Sequence, residues 1–356
     1  MGLQLIKPNT RVNFMGKRKA AFVLSALVIL IGVGSILLKG GLRYGIDFAG
    51  GINIQVHFEK DINVGELKSA LQQTGLPDLR VQPFGLDKYN EYLLRIPVQE
   101  VSPEKVRNRV QQALQDTGEP FSVQRLEMVG PKVGEDLQKK ALKALFFAVL
   151  LISIYISGRF EQKWGIAAVM AAGLVTGLYV LQLLAVPLTF LIIAVLLITL
   201  GLCWYLQLNY ALGAVVALIH DVLITMGIFS LLNKDFDLTT VAALLTIIGY
   251  SLNDTIVVFD RIRENFRAKR VPPLFDLINT SINQTLSRTL LTSGTTLMVV
   301  LSLFFLGGGV IHDFALALLV GVIVGTYSSI FVASSLLLGI GPTPEKEEES
   351  AQPSEA

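Results

Sequence analysis

Long apolar stretches constrain this chain more than any single motif does. A helix needs about 20 apolar residues to cross the roughly 30 Å hydrocarbon core of a bilayer. Only 16% of the 356 residues are charged, whereas soluble proteins carry about 25%. Eight stretches are long and apolar enough to span: 20–38, 137–157, 166–184, 188–206, 210–232, 238–259, 287–306 and 314–339. The sequence therefore predicts a polytopic α-helical membrane protein, a helix bundle of about eight spans.

The distribution of lysine and arginine predicts the orientation of these spans. Loops on the cytoplasmic side of a membrane are enriched in both cations. With eight spans, every basic cluster falls on one side: Lys7, Arg11, Lys17, Arg18, Lys19, Arg159, Lys163, Arg261, Arg263, Arg267, Lys269 and Arg270. We therefore expect a multi-pass protein with both termini in the cytoplasm. Its parts are a cytoplasmic N-terminus at 1–19, a retained transmembrane helix at 20–38, a transmembrane bundle at 137–339 and a disordered tail at 340–356.

The segment 166–206 within the bundle has two interpretations. The first is a transmembrane hairpin that turns tightly near Pro187. The second is one broken helix followed by a re-entrant segment. Since a hairpin contributes an even number of spans, its presence leaves the orientation of the other spans unchanged.

The polar segment 39–136 separates the first two spans and is long enough for a domain on the outer side. Apolar and polar residues alternate from Ile52 to Phe58, a pattern typical of a half-buried strand. Ser102, Pro103 and Glu104 form a helix start, with a hydroxyl cap and proline in the first turn. The remaining predicted elements are a helix at 64–71 and strands at 79–81, 92–96 and 121–128. The order β-α-β-β-α-β predicts a ferredoxin-like α+β domain, a fold that does not specify a function.

Two polar residues, Asn253 and Asp254, interrupt the apolar stretch 238–259. A carboxylate inside a membrane helix costs a few kcal/mol and usually has a functional partner. Arg288 opens the next span at a similar predicted depth, so we expect a carboxylate–guanidinium pair that loads and releases a proton as it opens and closes. The alternative is a static ion pair that fixes the packing of the two helices.

Two other groups of residues have both a functional and a packing interpretation. His220 and Asp221 lie near the middle of their span, and histidine is a suitable relay member. Adjacent helical residues point about 100° apart, so we expect the two not to face each other, and a packing role is the alternative. Gly321, Gly325 and Ser329 recur every four residues, a small-xxx-small pattern that predicts close helix packing.

The glycine-rich segment 45–51 leads from the first span into the outer domain. Gly45, Asp47, Gly50 and Gly51 predict a tight turn on the outer side, since glycine adopts positive φ readily. The turn is either a plain linker or a hinge.

No motif for catalysis, metal binding or a cofactor is present in the sequence. Cys203 is the only cysteine, and the three histidines lack zinc-site spacing. Ser293 and His220 suggest an intramembrane protease, but the glycine patterns of those enzymes are missing. We therefore expect no catalytic residues, no metal, no cofactor and no nucleic-acid partner.

Four segments resemble the signature segments of the SecF family, in the same order. They are GIDFAGG (45–51), ALIHDVLITMGIFSL (217–231), IGYSLNDTIVVFDRIRENFR (248–267) and QTLSRTLLTSGTT (284–296). The resemblance implies a helix bundle like that of the resistance-nodulation-division (RND) superfamily and a ferredoxin-like periplasmic domain. In that family Asp254 corresponds to the membrane carboxylate and Arg288 to the arginine. The segment 166–206 departs from the six-span family pattern as an extra hairpin.

The resemblance also implies a role in protein export. SecF-like proteins are the smaller membrane half of an accessory that uses the proton-motive force to assist Sec-dependent export across the bacterial inner membrane. The implied partners are SecD, the SecYEG translocon, a YajC-type small membrane subunit, the translocating polypeptide and membrane lipid. The alternative function is a proton-driven half-transporter that exports a small solute or lipid and has a substrate pocket in the outer domain.

Overall fold

The computed structural model describes most of the chain: residues 11–60, 62–72, 75–76, 79–84, 90–97, 103–115, 117–183, 188–267 and 272–341. Five features named above lie outside the described residues: the first ten residues, Ser102, the link 184–187, Lys269 with Arg270, and the tail from 342.

Helices dominate the described chain. A short 3₁₀ turn (Met15–Lys17) leads into α1, and a π-helical turn (Ser329–Ala333) joins α11 to α12. The helices are α1 (Arg18–Leu38), α2 (Ile46–Ala49), α3 (Val64–Gln72), α4 (Pro103–Gln115), α5 (Pro131–Glu161), α6 (Trp164–Leu183), α7 (Leu188–Tyr205), α8 (Asn209–Leu231), α9 (Leu238–Phe266), α10 (Leu274–Leu306), α11 (Gly308–Ser328) and α12 (Ser334–Ile340).

Six helices in the described part of the chain are long and apolar enough to cross a membrane. They are α1 with its 3₁₀ turn, α5, α8, α9, α10, and the continuous segment Ile311–Ile340. α5 and α10 are 31 and 33 residues long, or about 45–50 Å, so each extends beyond the hydrocarbon core. α10 accordingly starts at Leu274, well before the predicted 287.

The segment 166–206 forms two helices, α6 and α7. Their described apolar stretches, Trp164–Gly177 and Leu196–Tyr205, are shorter than a full span. The chain is therefore a polytopic membrane protein with at least six candidate spans, and the total of eight stays a prediction.

The domain between α1 and α5 has the predicted ferredoxin-like topology. Its strands are β1 (Gly51–Phe58), β2 (Arg80–Pro83), β3 (Glu91–Ile96) and β4 (Phe121–Val129). They form one antiparallel sheet in the order β2-β3-β1-β4. One face packs on α3 and α4, because alternate residues such as Ile54 and Leu94 point into that apolar core. The other face, which includes Asn53 and Arg95, is turned towards the membrane helices.

The domain attaches to the bundle by more than its two connecting helices, α1 and α5. The amide of Gly45 donates to the carbonyl of Phe236 at 2.9 Å, and the amide of Phe236 donates to the carbonyl of Arg43 at 2.7 Å. The segment between α8 and α9 therefore pairs with the chain that enters the domain. We call this the domain side of the bundle, and the other the opposite side.

α1 crosses α8 at two glycines. A Cβ atom built on Gly227 would lie 2.7 Å from the Cα of Gly32, and the reverse distance is 2.8 Å. Near this crossing, the hydroxyls of Ser35 and Ser230 lie 2.9 Å apart. The backbones meet without intervening side chains, the packing that small residues permit between membrane helices.

A Gly227→Ala substitution is expected to push α1 away from α8. The added methyl meets backbone rather than a flexible side chain, and such overpacking costs about 1–3 kcal/mol, which exceeds the helix-propensity gain of about 1 kcal/mol. Thermal unfolding in detergent should show a lower midpoint than for the parent. Gly34→Ala is the matched control, because nothing lies within 4 Å of its added Cβ. Equal midpoints for the two variants would contradict the tight crossing.

Candidate functional site

Asp254 lies in the middle of α9 and is 2% exposed. Its Oδ2 atom accepts a hydrogen bond from Ser293 of α10 at 3.4 Å. The Ser293 hydroxyl lies 2.7 Å from that of Thr326 on α11. Hydroxyl groups of α10 and α11 thus lie beside the carboxylate of α9.

Arg288 does not contact Asp254 in this conformation. Among the described residues, no ion pair joins the two side chains; the nearest polar partner of Asp254 is Ser293. Arg288 precedes Ser293 by five residues on α10, which places it about 7.5 Å nearer the opposite side of the bundle. The sequence placed the two groups at one depth, but α10 is offset by more than one turn.

Arg288 instead lines a cavity of about 350 Å³ at the opposite side. Asn253 is exposed there too, since it points about 100° away from its neighbour Asp254. Arg159 and Asp260, which form an exposed ion pair at 2.7 Å, complete the polar wall. Of the predicted relay residues, Asn253 and Arg288 therefore share this cavity, while Asp254 lies deeper.

A second buried carboxylate, Asp221 of α8, is 1% exposed and fully hydrogen-bonded. One of its oxygens accepts from Ser251 at 2.6 Å and from Ser328 at 2.8 Å. Its other oxygen lies 2.9 Å from Nδ1 of His220. The expectation that His220 and Asp221 do not face each other was wrong, because their side-chain torsions bridge the angle that the backbone puts between them.

The second nitrogen of His220 continues this network towards α1. Nε2 lies 3.0 Å from the hydroxyl of Ser25, which lies 3.0 Å from the hydroxyl of Tyr327. Tyr327 donates to the carbonyl of Ala21 at 2.7 Å. The sequence analysis did not identify the hydroxyl groups around the two carboxylates. Their only signal in the sequence is a polar residue within an apolar helix: Ser25, Ser251, Thr326, Tyr327 and Ser328.

The small residues of α11 lie against α9. A Cβ atom on Gly321 would overlap Ile247, and one on Gly325 would lie 2.9 Å from the Cβ of Ser251. Ser329 is buried and donates to the carbonyl of Thr326 at 3.0 Å. The close approach lets Ser251 of α9 and Ser328 of α11 donate to the same oxygen of Asp221.

The turn 45–51 is a docked element rather than a loose linker. It contains α2, whose Ile46 and Phe48 are buried. Oδ2 of Asp47 accepts from the amide of Leu238 at 3.0 Å, and Oδ1 of Asp237 accepts from the amide of Thr240 at 2.8 Å. Both carboxylates satisfy amides in the first turn of α9, where helices lack internal acceptors.

The two glycines that end this turn are required by its backbone. Gly50 and Gly51 have φ values of 74° and 138°. A Cβ on Gly51 would lie 2.7 Å from the carbonyl oxygen of Ile96. A side chain at Gly51 would therefore disturb the start of the sheet.

Gly51→Ala is expected to loosen β1, because it combines a strained φ with a backbone clash, at about 1–3 kcal/mol. Hydrogen exchange of the β1 amides in the full chain should be faster by roughly one to two powers of ten. The control is Gly118→Ala, whose φ is also positive at 74° but whose Cβ has open space. If Gly118→Ala accelerates exchange of the β1 amides as much as Gly51→Ala does, the clash with the Ile96 carbonyl is not the cause of the loosening.

A cluster of three charged residues joins the domain to the bundle. Asp235, between α8 and α9, pairs with Arg95 of β3 at 2.8 Å and with Arg43 at 2.7 Å. Burial raises the pKa of the Asp235 carboxyl above its ordinary value, and both arginines act in the opposite direction. Burial also lowers the pKa of the Arg95 guanidinium, which Asp235 opposes. Burial of the cluster thus acts against the mutual attraction of its charges.

Comparison with known proteins identifies relatives over nearly the full length. The family model "Protein export membrane protein SecD/SecF, C-terminal" matches residues 109–203 and 181–342. The model "SecD/SecF GG Motif" matches residues 35–62, which include the turn 45–51. The two matches of the first model overlap at residues 181–203, inside the segment 166–206.

Among curated proteins, the chain is similar to protein translocase subunit SecF of several bacteria. The Vibrio alginolyticus protein is 42% identical, with 98% of each chain covered. The Magnetococcus marinus protein is 43% identical, with 96% of this chain and 95% of the relative covered.

Among solved structures, the chain is similar to SecDF of Thermus thermophilus, described as a translocon-associated membrane protein. The TM-score is 0.70 at 34% identity, over 94% of this chain. A second SecDF structure, in a super-membrane-facing form, gives a TM-score of 0.55 at 35% identity. This chain spans 39% of the length of either SecDF chain.

Proposed function

Since the chain belongs to the SecD/SecF family of protein export membrane proteins, we propose that it is the SecF half of a SecD–SecF pair. This pair uses the proton-motive force to assist Sec-dependent protein export across the bacterial inner membrane. The chain performs no catalytic reaction of its own. Its sheet domain lies in the periplasm, and both termini lie in the cytoplasm. Its further partners are the SecYEG translocon, the exported polypeptide, membrane lipid and a YajC-type subunit.

The observation that carries this proposal is the setting of Asp254. A carboxylate in a membrane helix without a cation beside it is costly to keep ionised, and proton uptake removes that cost. In this proposal the cavity at Asn253 and Arg288 opens to the cytoplasm, and protons would pass through it towards the deeper Asp254. When Asp254 releases its proton, α9 and α10 slide until Arg288 is level with the carboxylate, and the guanidinium pairs with the negative charge left on Asp254.

Motion of α9 would reach the periplasmic domain directly. The first turn of α9 is held by Asp47 of the turn 45–51, and the segment before it pairs with Arg43 and Arg95. A shift of α9 against α10 therefore carries the sheet with it. One proton crossing a potential of 100 mV releases about 2.3 kcal/mol, enough to bias a two-state equilibrium by roughly fiftyfold.

In this proposal the buried residues His220 and Asp221 do not move relative to their neighbours, while Asp254 and Arg288 change their relative position. Asp221 is held by Ser251 of α9 and Ser328 of α11, so it ties both helices to α8. Its three hydrogen-bond partners leave the Asp221 carboxylate less free to change partners than that of Asp254, which has one long hydrogen bond.

Export into inverted membrane vesicles tests the proposal. We expect the chain together with SecD to stimulate export, and an uncoupler to remove that stimulation while the ATP-driven stage continues. Replacing Na⁺ with K⁺ at constant pH distinguishes the coupling ion, and stimulation that depends on Na⁺ would overturn the proton assignment. SecD and the translocon should co-purify with the chain in mild detergent.

The half-transporter for a small solute or lipid is the second candidate, and one observation favours it. A polar cavity of about 470 Å³ lies between the sheet and the bundle, a size that suits small ligands. Isolation as a lone homo-oligomer that moves a solute would support this function in place of export.

A further inference from the structure

The cavity between the sheet and the bundle is lined by the free face of the sheet. Asn53 and Gln55 of β1, Gln82 of β2 and Leu93 of β3 form its roof. Its floor is the start of α9, including Leu238 and Ala242. We call this cavity of about 470 Å³ the junction cleft.

The charged groups of the junction cleft are already satisfied. Lys234 pairs with Asp313 at 2.7 Å, and Arg125 pairs with Glu127. Arg95 pairs with Asp235, while Asp47 and Asp237 accept from backbone amides of α9. No described cation lining the cleft lacks an acidic partner, so the cleft does not suit a phosphate or another anion.

Two neutral groups of the cleft are not satisfied. Oδ1 of Asn53 and Nε2 of Gln82 are buried and have no hydrogen-bond partner among the described residues. Buried polar atoms are almost always paired, and an unpaired one requires an explanation such as an absent ligand. One atom is an acceptor and the other a donor, so together they match a ligand with one of each.

We propose that the junction cleft binds a short extended segment of the polypeptide that is being exported. Each peptide group carries one N–H and one C=O. Because β3 separates the strands of Asn53 and Gln82, two different peptide groups of one extended segment pair with them, an N–H with Asn53 and a C=O with Gln82. Because these contacts involve only the backbone, they accept any sequence, and Leu93, Phe84 and Leu238 provide apolar contact for side chains. This inference rests on the proposed function, and it assigns the point at which motion of α9 acts on the exported chain.

Photo-cross-linking in the complete SecD–SecF complex tests the inference. The photoreactive residue p-benzoylphenylalanine replaces Phe84, which lines the cleft, and in a control replaces Gln112, which is exposed on α4 across the sheet. The probe is a secretory precursor arrested in the translocon by a folded C-terminal domain. We expect the precursor to cross-link at Phe84 and not at Gln112.

Two substitutions then test the hydrogen bonds without threatening the fold. Asn53→Leu and Gln82→Met keep the side-chain shapes, and removing an unpaired buried polar atom does not destabilise a protein. In the double variant we expect about tenfold less cross-linked precursor, the loss that follows from a hydrogen bond or two in a dry site. Unchanged yield would overturn the inference.

Other outcomes overturn it as well. Cross-linking to SecD or to phospholipid, at equal yield with and without the arrested precursor, means that the cleft is an interface or a lipid site. Asp254→Asn, measured in parallel for export, separates the two proposals. If that variant loses stimulation while Phe84 captures no precursor, the cleft inference fails and the proposed function stands. If Phe84 captures precursor and Asp254→Asn exports normally, the proton role fails instead.

Discussion

Asp254→Asn is expected to insert and fold normally and to lose all proton-dependent stimulation of export. Asparagine keeps the size of the side chain and can still accept the hydrogen bond from Ser293. It cannot bind and release a proton, so the site no longer couples the proton-motive force to movement of α9. Export into inverted vesicles, with and without an uncoupler, measures the effect. The residual rate should equal that of vesicles that lack the chain.

The same substitution at Asp276 is the matched control. Asp276 is exposed in the first turn of α10 and lies outside the buried network. Asp276→Asn should export at the parental rate, since it removes only a helix-terminal charge of about 0.3–1 kcal/mol. If Asp254→Asn stimulates export as fully as the parent, Asp254 is not the proton-binding group.

Asp235→Ala is expected to release the sheet domain from the bundle. The substitution leaves Arg43 and Arg95 facing each other, and an uncompensated buried charge costs about 3–5 kcal/mol. Asp235 is 15% exposed and Arg43 is 29% exposed, so we expect the lower end, about 3 kcal/mol. The amide of Phe236, which donates to Arg43 across this junction, should exchange its hydrogen roughly a hundredfold faster.

An Arg95→Met, Asp235→Leu double variant should lose much less stability than Asp235→Ala. Burial raises the pKa of Asp235 despite two nearby arginines, so the ion pair costs about as much as it stabilises, and apolar replacement is close to neutral. Exchange at Phe236 that is as fast in the double variant as in Asp235→Ala would argue against this account.

Elements set by local pattern could be predicted from the sequence. The strand β1 follows from alternation between Ile52 and Phe58, and the positive φ values at Gly50 and Gly51 follow from glycines placed before it. The membrane helices follow from apolar length alone. Their ends could not be predicted as well, because α5 and α10 continue beyond their apolar stretches into polar sequence.

Contacts between distant helices could not be predicted in the same way. Asp221 reaches Ser328 across 107 positions, and His220 reaches Ser25 across 195. These partners depend on the rotation and axial offset of each helix, which small residues such as Gly227 and Gly325 set through packing. The axial offset of α10 likewise explains why Arg288 lies nearer the opposite side of the bundle than Asp254 does.

The π-helical turn Ser329–Ala333 separates two parts of the last span, α11 and α12, whose side chains face different directions. A π turn holds one residue more than an α turn, and the hydroxyl of Ser334 bonds back to the carbonyl of Ser329 at 2.8 Å. On one side of the turn, Thr326 and Ser328 face the carboxylates; on the other, Ser335 faces Met15. A regular helix would rotate one set by about 100° relative to the other. The extra residue thus lets α11 and α12 differ in rotation about the helix axis. α11 turns its hydroxyls towards the carboxylates, while α12 turns Ser335 towards Met15 in the 3₁₀ turn before α1.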